Sequence, residues 1–125
     1  MQKIVVDMQN YLFADSVAAA FKNSDYDIDV VRAESPMNTV ELCRLYKPFV
    51  LIMEVTGYTP WLLCEKLRDK VKTVCPECKI ALIVDSNSEK QAARDIRDAK
   101  KNGLIDQFFY GSMTAEYLMD QIYAM

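Results

Sequence analysis

Five apolar runs divide the chain, and between them apolar residues recur at helical spacing. The strongest run is Pro48 to Val55, PFVLIMEV, which carries no charge until Glu54. A run this short, without polar alternation, predicts a strand buried on both faces, the middle of a parallel sheet. Glu54 then sits at the carboxyl end of that strand, where ligands gather in open α/β sheets. The other runs are KIVVD from Lys3 to Asp7, Ile28 to Val31, KIALIV from Lys79 to Val84, and Ile105 to Tyr110. Acids interrupt the Ile28 run, which places it nearer a sheet edge.

The intervening segments predict helices. Phe13, Val17, Ala20 and Phe21 give one apolar face to residues 9–22. Ser35-Pro36 is a cap followed by a first-turn proline, opening a helix that ends near Tyr46. Thr59-Pro60 repeats that signal before Leu63, Leu67, Val71 and Val74, and Cys75-Pro76 stops the helix. Ser88 with Gln91 forms a capping box for Ala92, Ala93, Ile96 and Ala99, and Gly103 ends that segment. Thr114 caps a last helix with Leu118, Met119 and Ile122 inward. Strand and helix thus alternate five times with short loops. Right-handed crossovers then give a doubly wound five-stranded parallel sheet with helices on both faces.

Composition narrows the chemistry. The 125 residues make one domain, residues 1–125, able to bury a core without metal or disulfide. The net charge of −3 and the scattered basic residues argue against a nucleic-acid surface on this domain. No apolar run approaches a membrane span and no signal peptide is visible, so a cytoplasmic location is expected. The absence of histidine excludes Ser-His-Asp and Cys-His nucleophile systems. The first loop reads Asp7-Met8-Gln9-Asn10, with no GxGxxG, and no Walker or GxSxG motif occurs. Of the four cysteines, Cys43 and Cys64 read as small buried hydrophobes. Cys75-Pro76-Glu77-Cys78 is a CxxC, either half a zinc site or a redox pair in its sharp reading, an ordinary loop in its bland one.

Three of the runs end in acids: Asp7, Glu54 and Asp85. With the strand order 2-1-3-4-5, their strands are neighbours, and the three carboxylates are expected to form one acidic pocket. Separate solvation of each acid is the plain alternative.

The order KIVVD, KPFVLIMEV, KIALIVDS and NGLIDQFFYG resembles the receiver domain of two-component response regulators, the CheY-like superfamily, over essentially the whole chain. The resemblance implies a flavodoxin-like fold and a phosphorelay role, with a sensor kinase, protein contacts and an attached output domain, often a transcription regulator. Receivers carry an acidic pair after the first strand, a phosphorylated Asp ending the third, a Thr or Ser ending the fourth and a Lys ending the fifth. Here Asp7 matches the first acid and Met8 stands at the second. Glu54 stands at the phosphoacceptor, Asp85 at the hydroxyl position with Ser86 following, and Tyr110 at the lysine, with no lysine after Lys101. Gln107 or Phe108 falls at the aromatic switch position.

Acyl phosphate formation needs a carboxylate at a fixed distance from Mg²⁺ and cations to stabilise developing charge. Glu adds a methylene, Asp85 adds negative charge where phosphoryl oxygens belong, and the compensating lysine is gone. The expectation is a degenerate receiver, not an enzyme, acting through protein contacts. A homodimer on the last helix-strand-helix face, rich in Phe108, Phe109, Tyr110, Tyr117 and Tyr123, is one such contact. No cofactor is expected beyond a weak Mg²⁺ site on Asp7 and Glu54. A conventional phosphorylatable receiver is the first alternative, and a small metal- or ligand-binding enzyme on the same scaffold the second. Crowding of the acids is expected to raise the pKa of Glu54, so that Glu54→Gln leaves stability at pH 7 unchanged or higher.

Overall fold

Each apolar run becomes a strand and each amphipathic segment a helix. The computed structural model describes residues 2–57, 59–84, 90–111 and 113–125. In chain order the elements are β1 (Gln2–Asp7), α1 (Tyr11–Lys22), β2 (Ile28–Arg32), α2 (Pro36–Tyr46) and β3 (Val50–Val55). There follow α3 (Trp61–Val74), β4 (Lys79–Val84), α4 (Lys90–Lys101), β5 (Gln107–Tyr110) and α5 (Ala115–Tyr123). The strands form one parallel sheet in the order β2-β1-β3-β4-β5, as the sequence predicts.

Pleating sends alternate residues to opposite faces, and the core divides accordingly. On one face Val5, Leu51, Met53, Leu82 and Val84 pack under α2, α3 and α4. On the other, Ile4, Val6, Ile52, Ala81 and Ile83 pack under α1 and α5. Residues 50–53 of β3 are all essentially inaccessible, because β3 has a strand on each side and helices above and below. β2 is an edge strand, and its Val30 and Val31 are only half-buried.

The element ends follow local chemistry. α1 starts at Tyr11, two residues later than the pattern suggests. Asn10 is its N-cap, with Oδ1 accepting from Phe13 N at 3.1 Å. Ser35 precedes α2 as expected, and its N–H donates to Asn38 Oδ1. At α3 the cap is Pro60 rather than Thr59. The Thr59 hydroxyl turns back to donate to the Glu54 carbonyl at 2.8 Å, so it serves the loop instead of the helix. β5 begins at Gln107, not Ile105. The Asp106 carboxylate accepts from Ile80 N at 2.8 Å, and Asp106 N donates to Ile80 O at 2.8 Å, so a side chain replaces the first ladder bond. Gly103, at φ 77°, ends α4 with Leu104 N bonded to Ala99 O and Gly103 N to Lys100 O, a turn that favours glycine. The Ser88–Gln91 capping box lies outside the described residues. Among the described residues, no helix is long and apolar enough to cross a membrane.

Candidate functional site

β1 and β3 pair with Asp7 opposite Met53, so Glu54 stands one position beyond Asp7 along the sheet. One residue of offset decides which way each side chain points. Asp7 follows the phase of Val5 and leaves toward α2, where the Thr39 hydroxyl donates to Asp7 Oδ2 at 2.8 Å. Glu54 follows the phase of Ile52 and leaves toward the start of α1. There Glu54 Oε1 accepts the backbone N–H of Gln9 at 3.1 Å and of Asn10 at 3.3 Å. The two acids are therefore neighbours at one sheet edge, directed to opposite faces.

Glu54 acts as a capping anion supplied from outside α1. The first turn of α1 holds no acid of its own. The unpaired N–H groups and dipole of a helix start favour a carboxylate, typically by about 0.3–1 kcal/mol for the dipole alone.

Asp7 is the buried acid, 7% exposed, and Thr39 is wholly buried. Burial pushes the Asp7 carboxyl above its usual range, the Thr39 hydrogen bond pulls it down, and the Glu54 charge adds to the rise. Asp7 is the acid that points under α2, while Glu54 is half-buried at the rim. On the same face, burial and then the Asp7 charge push the Cys64 thiol up to about 12.

The loop after β3 closes around this arrangement. The Thr56 hydroxyl lies 2.9 Å from the Thr59 hydroxyl and 3.2 Å from Gln9 Oε1, and Thr59 N donates to Thr56 Oγ1. Met8 is 2% exposed and packs with Val6, Ala14 and Val17 in the core under α1. Tyr110 ends β5 opposite Val84, is exposed, and sets its ring edge-on to Phe108 at 6.0 Å. Asp85 and Ser86 lie outside the described residues.

Among the described residues, the donors do not make the octahedral set of hard oxygen ligands that Mg²⁺ asks for. Met8 offers a buried thioether, Asp7 is turned to Thr39, and Glu54 is bonded to amides. Among the described residues, no three His, Cys, Asp or Glu side chains converge on a point. Sequence reasoning missed Thr39, since a threonine inside a helix carries no signal. It also missed the amides of Gln9 and Asn10, which can be identified as donors to Glu54 only once strand register is known.

No protein-family model matches the sequence, and no curated protein matches it significantly. Solved structures do match. A response regulator from Thermotoga maritima superposes with a TM-score of 0.78 at 12% identity, covering 99% of this chain and 96% of that one. The fold is that of a response regulator receiver domain. A CheY-like receiver domain protein from Methanospirillum hungatei shares it at a TM-score of 0.77 and 12% identity, over 99% and 92% of the two chains. So does a response regulator protein from Burkholderia pseudomallei, at 0.72 and 16% identity, over 99% and 72%. That structure holds a phosphorylated aspartic acid and a calcium ion. In the present chain Glu54 is the next-to-last residue of β3, with its carboxylate on the backbone just before α1.

Proposed function

We propose that this chain is a receiver-like signalling domain whose output does not depend on phosphorylation at Glu54, and that it acts through protein contacts. The supporting observation is the engagement of Glu54 Oε1 by the amides of Gln9 and Asn10. One oxygen of this carboxylate is committed to the amides that precede α1. Forming an acyl phosphate would require Glu54 to give up these two hydrogen bonds or share them with a bulkier group. The buried Met8 supports the same reading, because it supplies no oxygen to a metal. In this reading Asp85 and Ser86 take the hydroxyl position and Tyr110 the lysine position, so no cation balances a phosphoryl group.

The contacts belong to the last helix-strand-helix face. Phe109 is buried, while Tyr110, Tyr117 and Tyr123 are exposed. Exposed aromatic side chains of this kind supply large contact area at small entropic cost. A homodimer or an attached output domain is the partner the proposal favours, and the chain is a signalling part rather than a catalyst.

Backbone NMR with Mg²⁺ and beryllofluoride, an acyl phosphate mimic, tests this. The Gln9, Asn10 and Tyr110 amide signals should stay in place. Saturable movement of all three would favour a conventional receiver.

A further inference from the structure

The Cys75-Pro76-Glu77-Cys78 turn lies at the start of β4, at the opposite sheet edge from Glu54. Cys78 N donates to Cys75 O at 3.1 Å and closes the turn. A β-turn keeps its end Cα atoms within about 7 Å, and a disulfide spans about 4.4–6.8 Å. Cys75 Sγ lies 3.8 Å from Pro48 O, and Cys78 Sγ 3.5 Å from Lys79 O. Behind Cys78, the Cys43 thiol shares a hydrogen bond with it. Cys43 and Cys78 are fully buried; Cys75 is 6% exposed. Cys75 lines a groove of about 490 Å³ with Lys47, Pro48, Phe49, Pro76 and Glu77. The three thiols thus form a file leading from a groove into the core.

Two lysines bracket the turn. Lys47 Nζ donates to Val74 O at 2.5 Å, and Lys72 Nζ to Cys78 O at 2.5 Å and Pro76 O at 3.4 Å. Lys47 favours the Cys75 thiolate, but burial outweighs it.

We propose that Cys75 and Cys78 form a thiol–disulfide pair, oxidised by a small hydroperoxide that enters by the groove. The Cys75 thiolate attacks one oxygen of hydrogen peroxide, the O–O bond breaks, and the other oxygen takes a proton and leaves as water; an alkyl hydroperoxide would release the alcohol instead. Cys75 is then a sulfenic acid. Cys78 sulfur attacks Cys75 sulfur, the S–S bond forms, and the hydroxyl leaves as a second water with the Cys78 proton. Two thiols lose two electrons and the peroxide gains them. Cys43, one step further from the groove, remains a thiol and positions Cys78.

Lys47, Glu77 and Cys78 face Cys75; Cys43, Lys72 and Asp106 face Cys78. Burial pushes the Cys75 thiol up, and the Cys43 hydrogen bond with burial pushes Cys78 up. Cys75 is also the C-cap of α3, where the helix dipole disfavours a thiolate. Oxidation should therefore quicken roughly tenfold per pH unit from about pH 7 to 8.5, following the thiolate fraction.

The test exposes the full chain to hydrogen peroxide, then maps unreduced peptides by mass spectrometry. The expected product joins Cys75 to Cys78, with Cys43 and Cys64 still open to alkylation after unfolding. Cys43→Ser should form the same bond. Cys78→Ser should instead yield a Cys75 sulfenic acid that dimedone traps. If Cys78→Ser does not fold, dimedone added to the wild type during oxidation should label Cys75 and lower the disulfide yield. Four free thiols after peroxide, a bond between Cys43 and Cys78, or no dimedone label on Cys75 would each overturn the proposal.

Discussion

Glu54 Oε1 lies 3.3 Å from the amide nitrogen of Asn10, and Asn10 in turn accepts the N–H of Phe13. Together they form a short chain of hydrogen bonds from the end of β3 into the first turn of α1. Glu54 is thereby part of the scaffold.

Glu54→Ala should therefore destabilise the fold by about 1–2 kcal/mol, the usual cost of a lost capping acceptor. Glu54→Gln keeps an acceptor and loses only the charge, so its cost should be smaller, about 0.5–1 kcal/mol. Urea unfolding at pH 7 without divalent ions measures both. A stabilised Glu54→Gln would mean that the carboxylate is strained and not a cap.

The buried acid carries the pH dependence. Burial raises the folded pKa of Asp7 above its ordinary value of 3.8. A carboxyl whose folded pKa is raised contributes stability below the unfolded pKa and loses it as pH climbs through the folded value. Asp7→Asn should be more stable than wild type at pH 7. It should also lack the part of the decline that wild type shows as pH rises above about 4. Unfolding curves at several pH values, compared between the two proteins, give the sign directly.

Thr39 holds the other end of that contact. Thr39→Val keeps the shape and removes the donor, leaving Asp7 buried without its hydroxyl partner. The expected cost is about 1–3 kcal/mol. A double-mutant cycle with Asp7→Ala should show a coupling of about 0.5–3 kcal/mol, and a value near zero would mean that the 2.8 Å contact contributes nothing.

The pattern of apolar runs contained most of the fold. β3 was legible because a strand buried on both faces leaves no polar alternation, and β2 because acids at Asp27 and Asp29 mark a sheet edge. The site was less legible. Asp7 and Glu54 end neighbouring strands, but whether they face each other depends on a register of one residue, which no local pattern encodes. The Asp7–Thr39 contact spans 32 positions in sequence and leaves no trace in either segment. Thr59 looked like a helix cap because Thr-Pro has that chemistry. It faces the Glu54 carbonyl instead, a choice made by the loop's own hydrogen bonds.

Met8→Asp puts an acid back after β1. Met8 sits in an apolar core, so the substitution buries an unpaired carboxyl and should cost more than about 2 kcal/mol. Added Mg²⁺ should recover little of it, since Glu54 is turned to the α1 amides. Thermal melts with and without Mg²⁺ measure this; full recovery would show a latent metal site.

Intact-mass measurement after incubation with acetyl phosphate and Mg²⁺ tests the central claim most directly. The expected spectrum shows the unmodified chain alone, in wild type and in Glu54→Gln alike. A single phosphoryl adduct on the wild type that is absent from Glu54→Gln would contradict it.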